Sequence, residues 1–156
     1  MILTEPTIQA RFGRRLRRRA LAAFLDEAAA AVKLRGEVAA LLTTDVEIRR
    51  LNRTFRKKNE PTDVLSFPAP EPLPGQQPAG GDLAISVETA ARQAGAAGHA
   101  LSVELQVLLL HGVLHLAGYD HETDTGQMAR REALLRRRFG LQAGLIERAA
   151  KHGAQR

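Results

Sequence analysis

The 156-residue sequence has no cysteine, no tryptophan and only six aromatic side chains of other kinds, five Phe and one Tyr. The missing cysteine excludes a disulfide framework, a Cys-ligated zinc ribbon, an iron–sulfur cluster and a thiol nucleophile. Any metal must then be held by His, Asp or Glu. So few aromatics leave little for base-stacking platforms, and contact with nucleic acid would rest on phosphates and shape. Long hydrophobic runs are also lacking. The longest stretch without formal charge, Leu105 to Tyr119, has fifteen residues, short of the roughly 18 to 20 that span a bilayer. The first basic cluster precedes an apolar stretch, but Asp26 and Glu27 interrupt it, so no secretory signal is visible. A soluble, cytoplasmic protein without membrane association is expected.

What is present describes one ordinary globular domain over residues 1–156, 44% hydrophobic and 26% charged, long enough to bury roughly two-thirds of the surface of its unfolded chain. Lys+Arg outnumber Asp+Glu by 23 to 17, giving a net charge of +6, which suits a polyanionic partner, nucleic acid first. Of those 23 cations 19 are Arg, a bias that composition alone also produces, so the global charge is the weaker witness. The cluster Arg11, Arg14, Arg15, Arg17, Arg18 and Arg19 acquires no role from the sequence.

Periodicity predicts a first strand within Met1–Ala10, a helix over 14–34, a strand over 37–43 and a helix over 46–56 capped by Thr44 or Asp45. Proline sets the ends of a strand at 62–67. Residues 69–81, with four prolines and three glycines, read as a loop. A strand follows at 82–86, then a helix over 87–97 capped by Ser86. A nearly uniform apolar helix over 103–117 opens at Ser102 and ends at Gly118, and a last helix covers 124–139, its tail continuing to about Ala150. About five helices with about four strands make an α+β domain.

The chemistry concentrates in His111-Gly112-Val113-Leu114-His115-Leu116-Ala117-Gly118-Tyr119-Asp120-His121. Residues four apart project from one helix face about 6 Å apart along the axis, so His111 and His115 can share a metal ion. His121 cannot follow along a continuing helix, but Gly118 can take a positive φ and turn the chain back. Three imidazoles leave a fourth tetrahedral position open, as in catalytic zinc sites. The spacing also fits the zinc-peptidase pattern H-E-x-x-H-x-x-G-x-x-H, except that Gly112 stands where the general-base Glu belongs. That departure argues against peptide hydrolysis. Asp120, Glu122 and Asp124 crowd His121, with a helix start favoured as their role, and Glu104 reads as compensation of a helix dipole.

HGVLHLAGYDH, together with Phe55-Arg56-Lys57-Lys58-Asn59-Glu60-Pro61-Thr62-Asp63-Val64-Leu65-Ser66-Phe67-Pro68 and Gly81-Asp82-Leu83-Ala84-Ile85-Ser86, resembles the YbeY family of bacterial endoribonucleases. Phe55 stands where the family often has Tyr, and Leu83 where it often has Ile. The resemblance implies a single α+β domain with a mixed four-stranded sheet and one zinc ion held by His111, His115 and His121. It further implies hydrolysis of single-stranded RNA in rRNA maturation at the 16S 3′ end and in ribosome quality control, beside small-subunit components. Arg56 is then functional. Its planar guanidinium suits bidentate contact with a phosphate, and Lys57 and Lys58 are candidate RNA contacts. Thr62, Asp63 and Ser66 read as holding their strand in place. A zinc peptidase and a non-catalytic ribosome-assembly factor with a structural metal are the alternatives.

Overall fold

The computed structural model describes residues 1–56, 62–77, 79–120 and 123–141. In chain order these form β1 (Ile2–Thr4), α1 (Pro6–Phe12), a 3-10 turn (Gly13–Leu16), α2 (Arg18–Ala31), β2 (Val38–Thr43), α3 (Asp45–Arg56), β3 (Val64–Phe67), β4 (Gly81–Ser86), α4 (Val87–Ala97), α5 (Leu101–Leu116) and α6 (Gln127–Arg138). The strands make one mixed sheet ordered β1-β2-β4-β3. β1 runs parallel to β2 with Ile2 opposite Ala40, β2 parallel to β4 with Val38 opposite Gly81, and β3 antiparallel to β4 with Val64 opposite Ile85.

Strand alternation divides the core. Val38, Ala40 and Leu42 of β2 and Leu83 and Ile85 of β4 join the main core with α2 and α5, whereas Leu65 and Ala84 turn to the opposite face and pack with Ile48 of α3. Through the main core runs α5, with leucine on nearly every side and contacts to α2, α4, α6 and strands β3 and β4. Its rigid axis fixes whatever its last turn carries.

The differences from the sequence reading have local causes. The first strand stops at Thr4 because Pro6 opens α1, where a preset φ and a missing N–H suit the first helical position. The described residues therefore hold six helices rather than five. The helix expected over 14–34 is divided by Arg17, which adopts a left-handed conformation (φ 49°, ψ 55°) between the 3-10 turn and α2. Ser102 lies inside α5, which begins after Ala100. The last helix begins at Gln127, and Asp124 accepts hydrogen bonds from the N–H groups of Gly126 and Met128, both 2.8 Å. Glu104 is fully buried, its carboxylate 2.6 Å from His99 Nε2. Ser86 caps α4 by accepting from the Thr89 N–H at 3.2 Å, and Thr44 Oγ1 accepts from the Glu47 N–H at the start of α3. The proposed tail helix to Ala150 lies outside the described residues.

The opening of α3 is joined to α4 and α1 by a polar knot. Asp45 accepts from the hydroxyls of Ser86 and Thr89 and from Arg92. Its own N–H donates to Glu88 at 2.8 Å, and the other Glu88 oxygen takes Arg11 at 2.9 Å. Burial pushes Asp45 up, but the hydrogen bonds from Ser86, Thr89 and Arg92 outweigh it and hold the carboxyl below its ordinary 3.8. Glu88 is held below its ordinary 4.5 first by the Asp45 N–H and then by Arg11. Groups depressed in the folded state give a stability that is complete above their unfolded values and is lost as the pH falls through the folded ones. Denaturant unfolding should therefore show stability falling below about pH 4.5 with a steeper slope for the wild type than for Asp45→Asn; equal slopes would place the acid sensitivity elsewhere.

Candidate active site

The last turns of α5 carry His111 and His115 on one face, as their spacing requires. Their Nε2 atoms lie 3.1 Å apart, with ring centroids 4.7 Å apart and planes at 75°. Two imidazole nitrogens bound to one zinc ion at 2.0–2.1 Å across a tetrahedral angle sit about 3.3 Å from each other. The observed separation is close to the one a shared ion would set. Behind His111, Glu132 reaches from α6, 1% exposed, with Oε2 2.9 Å from Nδ1. A carboxylate accepting at Nδ1 leaves the Nε2 of the same ring as the metal-binding nitrogen.

Helix α5 ends as its glycine foretold. Gly118 adopts φ 97°, the Tyr119 N–H reaches back to the Leu114 carbonyl at 3.1 Å, and the Gly118 N–H reaches the His115 carbonyl at 3.0 Å. This doubled closure satisfies the last carbonyls and requires a left-handed residue. The turn lies immediately beyond the histidine pair. His121 itself, like Lys57 and Lys58, lies outside the described residues, and among the described residues no group of three metal donors is formed.

The histidines open into a cleft of about 470 Å³ whose lining includes Asn52 and Arg56 of α3, Asp63, the β3 residues Val64 to Ser66, and Gly118 to Asp120. Arg56, the last residue of α3, is exposed and has no acidic partner among the described residues. Ser66 donates to the Gly112 carbonyl at 3.2 Å and ties β3 to α5. Asp63 accepts from the Val64 N–H at 2.8 Å and from Gln93 at 3.3 Å. Both hold the cleft wall in place, the structural role the sequence favoured.

The peptidase alternative meets a steric obstacle at residue 112. A Cβ there would lie 2.7 Å from Cδ2 of Leu83, itself 2% exposed in the main core. A side chain there could enter only if Leu83 shifted within the core, so this packing disfavours the glutamate of the zinc-peptidase pattern.

The family model for Endoribonuclease YbeY matches residues 4–140. The chain belongs to the endoribonuclease YbeY family. The Endoribonuclease YbeY of Koribacter versatilis (strain Ellin345) is 49% identical over 131 residues, covering 84% of this chain and 83% of that protein. The Endoribonuclease YbeY of Solibacter usitatus (strain Ellin6076) is 54% identical over 108 residues, 69% of each chain. Among solved structures, the solution structure of TM1509 from Thermotoga maritima is similar with a TM-score of 0.54 and 28% identity, covering 85% of both chains. The YbeY family resemblance read from the three sequence motifs is thus confirmed, and the α+β fold with it.

Two residues at this candidate site were not read from the sequence as belonging to it. Glu132 is separated from His111 by 21 residues and sits in the arginine-rich sequence QMARREALLRRR, where an acid looks solvent-facing. Asn52 is 3% exposed and borders the cleft. Its signal was present, as a polar residue on the inward face of an amphipathic helix. Among the described residues no single helix is long and apolar enough to cross a membrane.

Proposed function

We propose that this chain is a zinc-dependent endoribonuclease of the cytoplasm. It cleaves single-stranded rRNA precursors at the 16S 3′ end and in ribosome quality control, beside small-subunit components, and residues 1–156 act as one catalytic domain. The observation that carries the reading is the convergence of the His111 and His115 Nε2 atoms at 3.1 Å in a cleft that Arg56 shares. His111, His115 and His121 would hold the ion, the last brought round by the Gly118 turn. Zinc held by these residues would supply Lewis-acid chemistry for phosphodiester hydrolysis.

The chain's own residues do the rest. Arg56 offers a planar fork to the non-bridging phosphate oxygens, where negative charge grows in the transition state. Lys57 and Lys58 extend the positive charge along the RNA backbone. Glu132 fixes the His111 tautomer and ring orientation. Glu132→Gln should weaken zinc binding about 10- to 100-fold in competitive titration, as loss of such an outer carboxylate does. Glu132→Ala should add a stability loss of about 1–3 kcal/mol by removing the buried acceptor 2.9 Å from Nδ1. Wild-type zinc affinity in both variants would remove Glu132 from the site.

The reaction itself is tested with a radiolabelled 16S 3′-end precursor, an equivalent duplex and a mixed peptide set, each incubated with zinc-loaded protein. Cuts confined to unpaired RNA, with peptides intact, are expected. Peptide cleavage with RNA intact would overturn the proposal, as would no cleavage of either. A cyclic phosphate at the new end would assign the attack to the RNA 2′-hydroxyl, and a 5′-phosphate with a free 3′-hydroxyl to water.

A further inference from the structure

At the far end of α5 from the histidines, positive charge is gathered with one ion pair among the described residues. Of the six arginines between Arg11 and Arg19, Arg11 pairs with Glu88 at 2.9 Å and Arg18 donates to the Ile2 carbonyl at 3.4 Å. Arg14, Arg15, Arg17 and Arg19 have no acidic partner among the described residues. They occupy the 3-10 turn and the start of α2, a helix with no acid in its first turn and no side-chain cap. Cations are disfavoured there, because a helix N-terminus is itself partially positive. Arg17 also sits at φ 49°, a left-handed conformation that costs a residue with a Cβ roughly 1–2 kcal/mol.

A second helix opening meets the same place. Ala100, Leu101 and Ser102, the start of α5, where no side-chain cap is formed, bound a cleft of about 540 Å³ with Arg14, Arg15 and Arg17. An adjoining cleft of about 430 Å³ shares Arg14 and Arg17 and adds Arg18 and Arg19. The acid in the first turn of α5, Glu104, is fully buried against His99. The guanidiniums of Arg11 and Arg15 rest 5.2 and 5.6 Å from the Phe12 ring centre, which steadies their direction. Two helix N-termini and four arginines with no acidic partner among the described residues thus border two clefts that share Arg14 and Arg17. Uncompensated charge of this density is costly in the free protein and is relieved by a polyanion.

We propose that this arginine ridge is a second docking surface for the phosphodiester backbone of RNA, resting on the endoribonuclease reading above. It lies on the order of 20 Å from His115 along α5, by helical rise. Two clefts joined through shared arginines suit a chain of phosphates better than one small anion. The segment from Arg11 to Arg19 exposes no large hydrophobic side chain, whereas a membrane-surface element buries apolar residues among its cations. RNA held here would be engaged at both ends of α5, so the ridge would select longer single strands.

The test compares the wild type with Arg14→Gln/Arg15→Gln/Arg17→Gln and with the corresponding triple Lys variant, by fluorescence anisotropy on single-stranded RNA of about 20 nucleotides across a salt series. Three lost phosphate contacts at about 0.7 each should lower the slope of log K against log salt by about 2 in the Gln variant, and the Lys variant should restore it. Melting temperatures confirm that all three proteins are folded. A Gln variant with the wild-type slope, beside a wild type that binds RNA steeply with salt, overturns the ridge and leaves the endoribonuclease reading standing. A wild type that does not bind RNA overturns that reading. If the Gln variant loses binding only to phosphatidylserine vesicles, the ridge is a membrane surface and the proposal fails.

Discussion

Replacing His115 by alanine should yield a folded protein whose RNA cleavage falls by about a hundredfold to a thousandfold or more, the several kcal/mol that a metal supplies to a phosphoryl transition state. His115 is the clean probe because of where it stands. It is half-buried in the final turn of α5 and faces the cleft, and alanine is the best helix former. The metal-free variant should therefore melt within a few degrees of the metal-free wild type. His111→Ala should be equally inactive but less informative. It removes the imidazole that lies 2.9 Å from the buried Glu132 carboxylate, and losing such a buried hydrogen bond costs about 1–3 kcal/mol. Comparing the two variants separates loss of the ion from loss of the fold. Full activity in His115→Ala, in preparations checked for contaminating nuclease, would sink the histidine-held metal.

Arg56→Ala should lower kcat about 100- to 1000-fold on single-stranded RNA, the usual loss when a donor aimed at developing negative charge is removed. Arg56 is exposed at the end of α3, so its removal takes nothing from the core and leaves the melting temperature in place. Arg56→Lys should recover only part of the loss, because an ammonium keeps the charge without the two-pronged geometry. The partition between constants decides the role. A fall in kcat with KM little changed shows contact made in the transition state, whereas a rise in KM alone would show that Arg56 merely holds the ground state.

What the sequence made legible followed from short-range rules. Ser86 before Val87 and Gly118 after Leu116 marked helix ends because capping chemistry is local. The four-residue spacing of His111 and His115 implied a shared face because helical geometry is invariant. Longer-range features were hidden. Nothing near Glu132 announces that α6 carries it under His111, since the chain that brings them together is folded by leucines elsewhere. Glu104 looked like dipole compensation and turned out to be sealed against His99, a pairing decided by the packing of α5. The division at Arg17 was unreadable for a different reason, because a left-handed arginine contradicts local preference. That contradiction is one of the observations behind the ridge proposal.

The most direct test of the account is a zinc titration of the stripped protein, with single-turnover cleavage of a single-stranded rRNA fragment as the readout. Cleavage should be absent without metal, rise linearly and break at one equivalent of zinc, with His115→Ala silent throughout. Undiminished cleavage by the metal-free protein would contradict it.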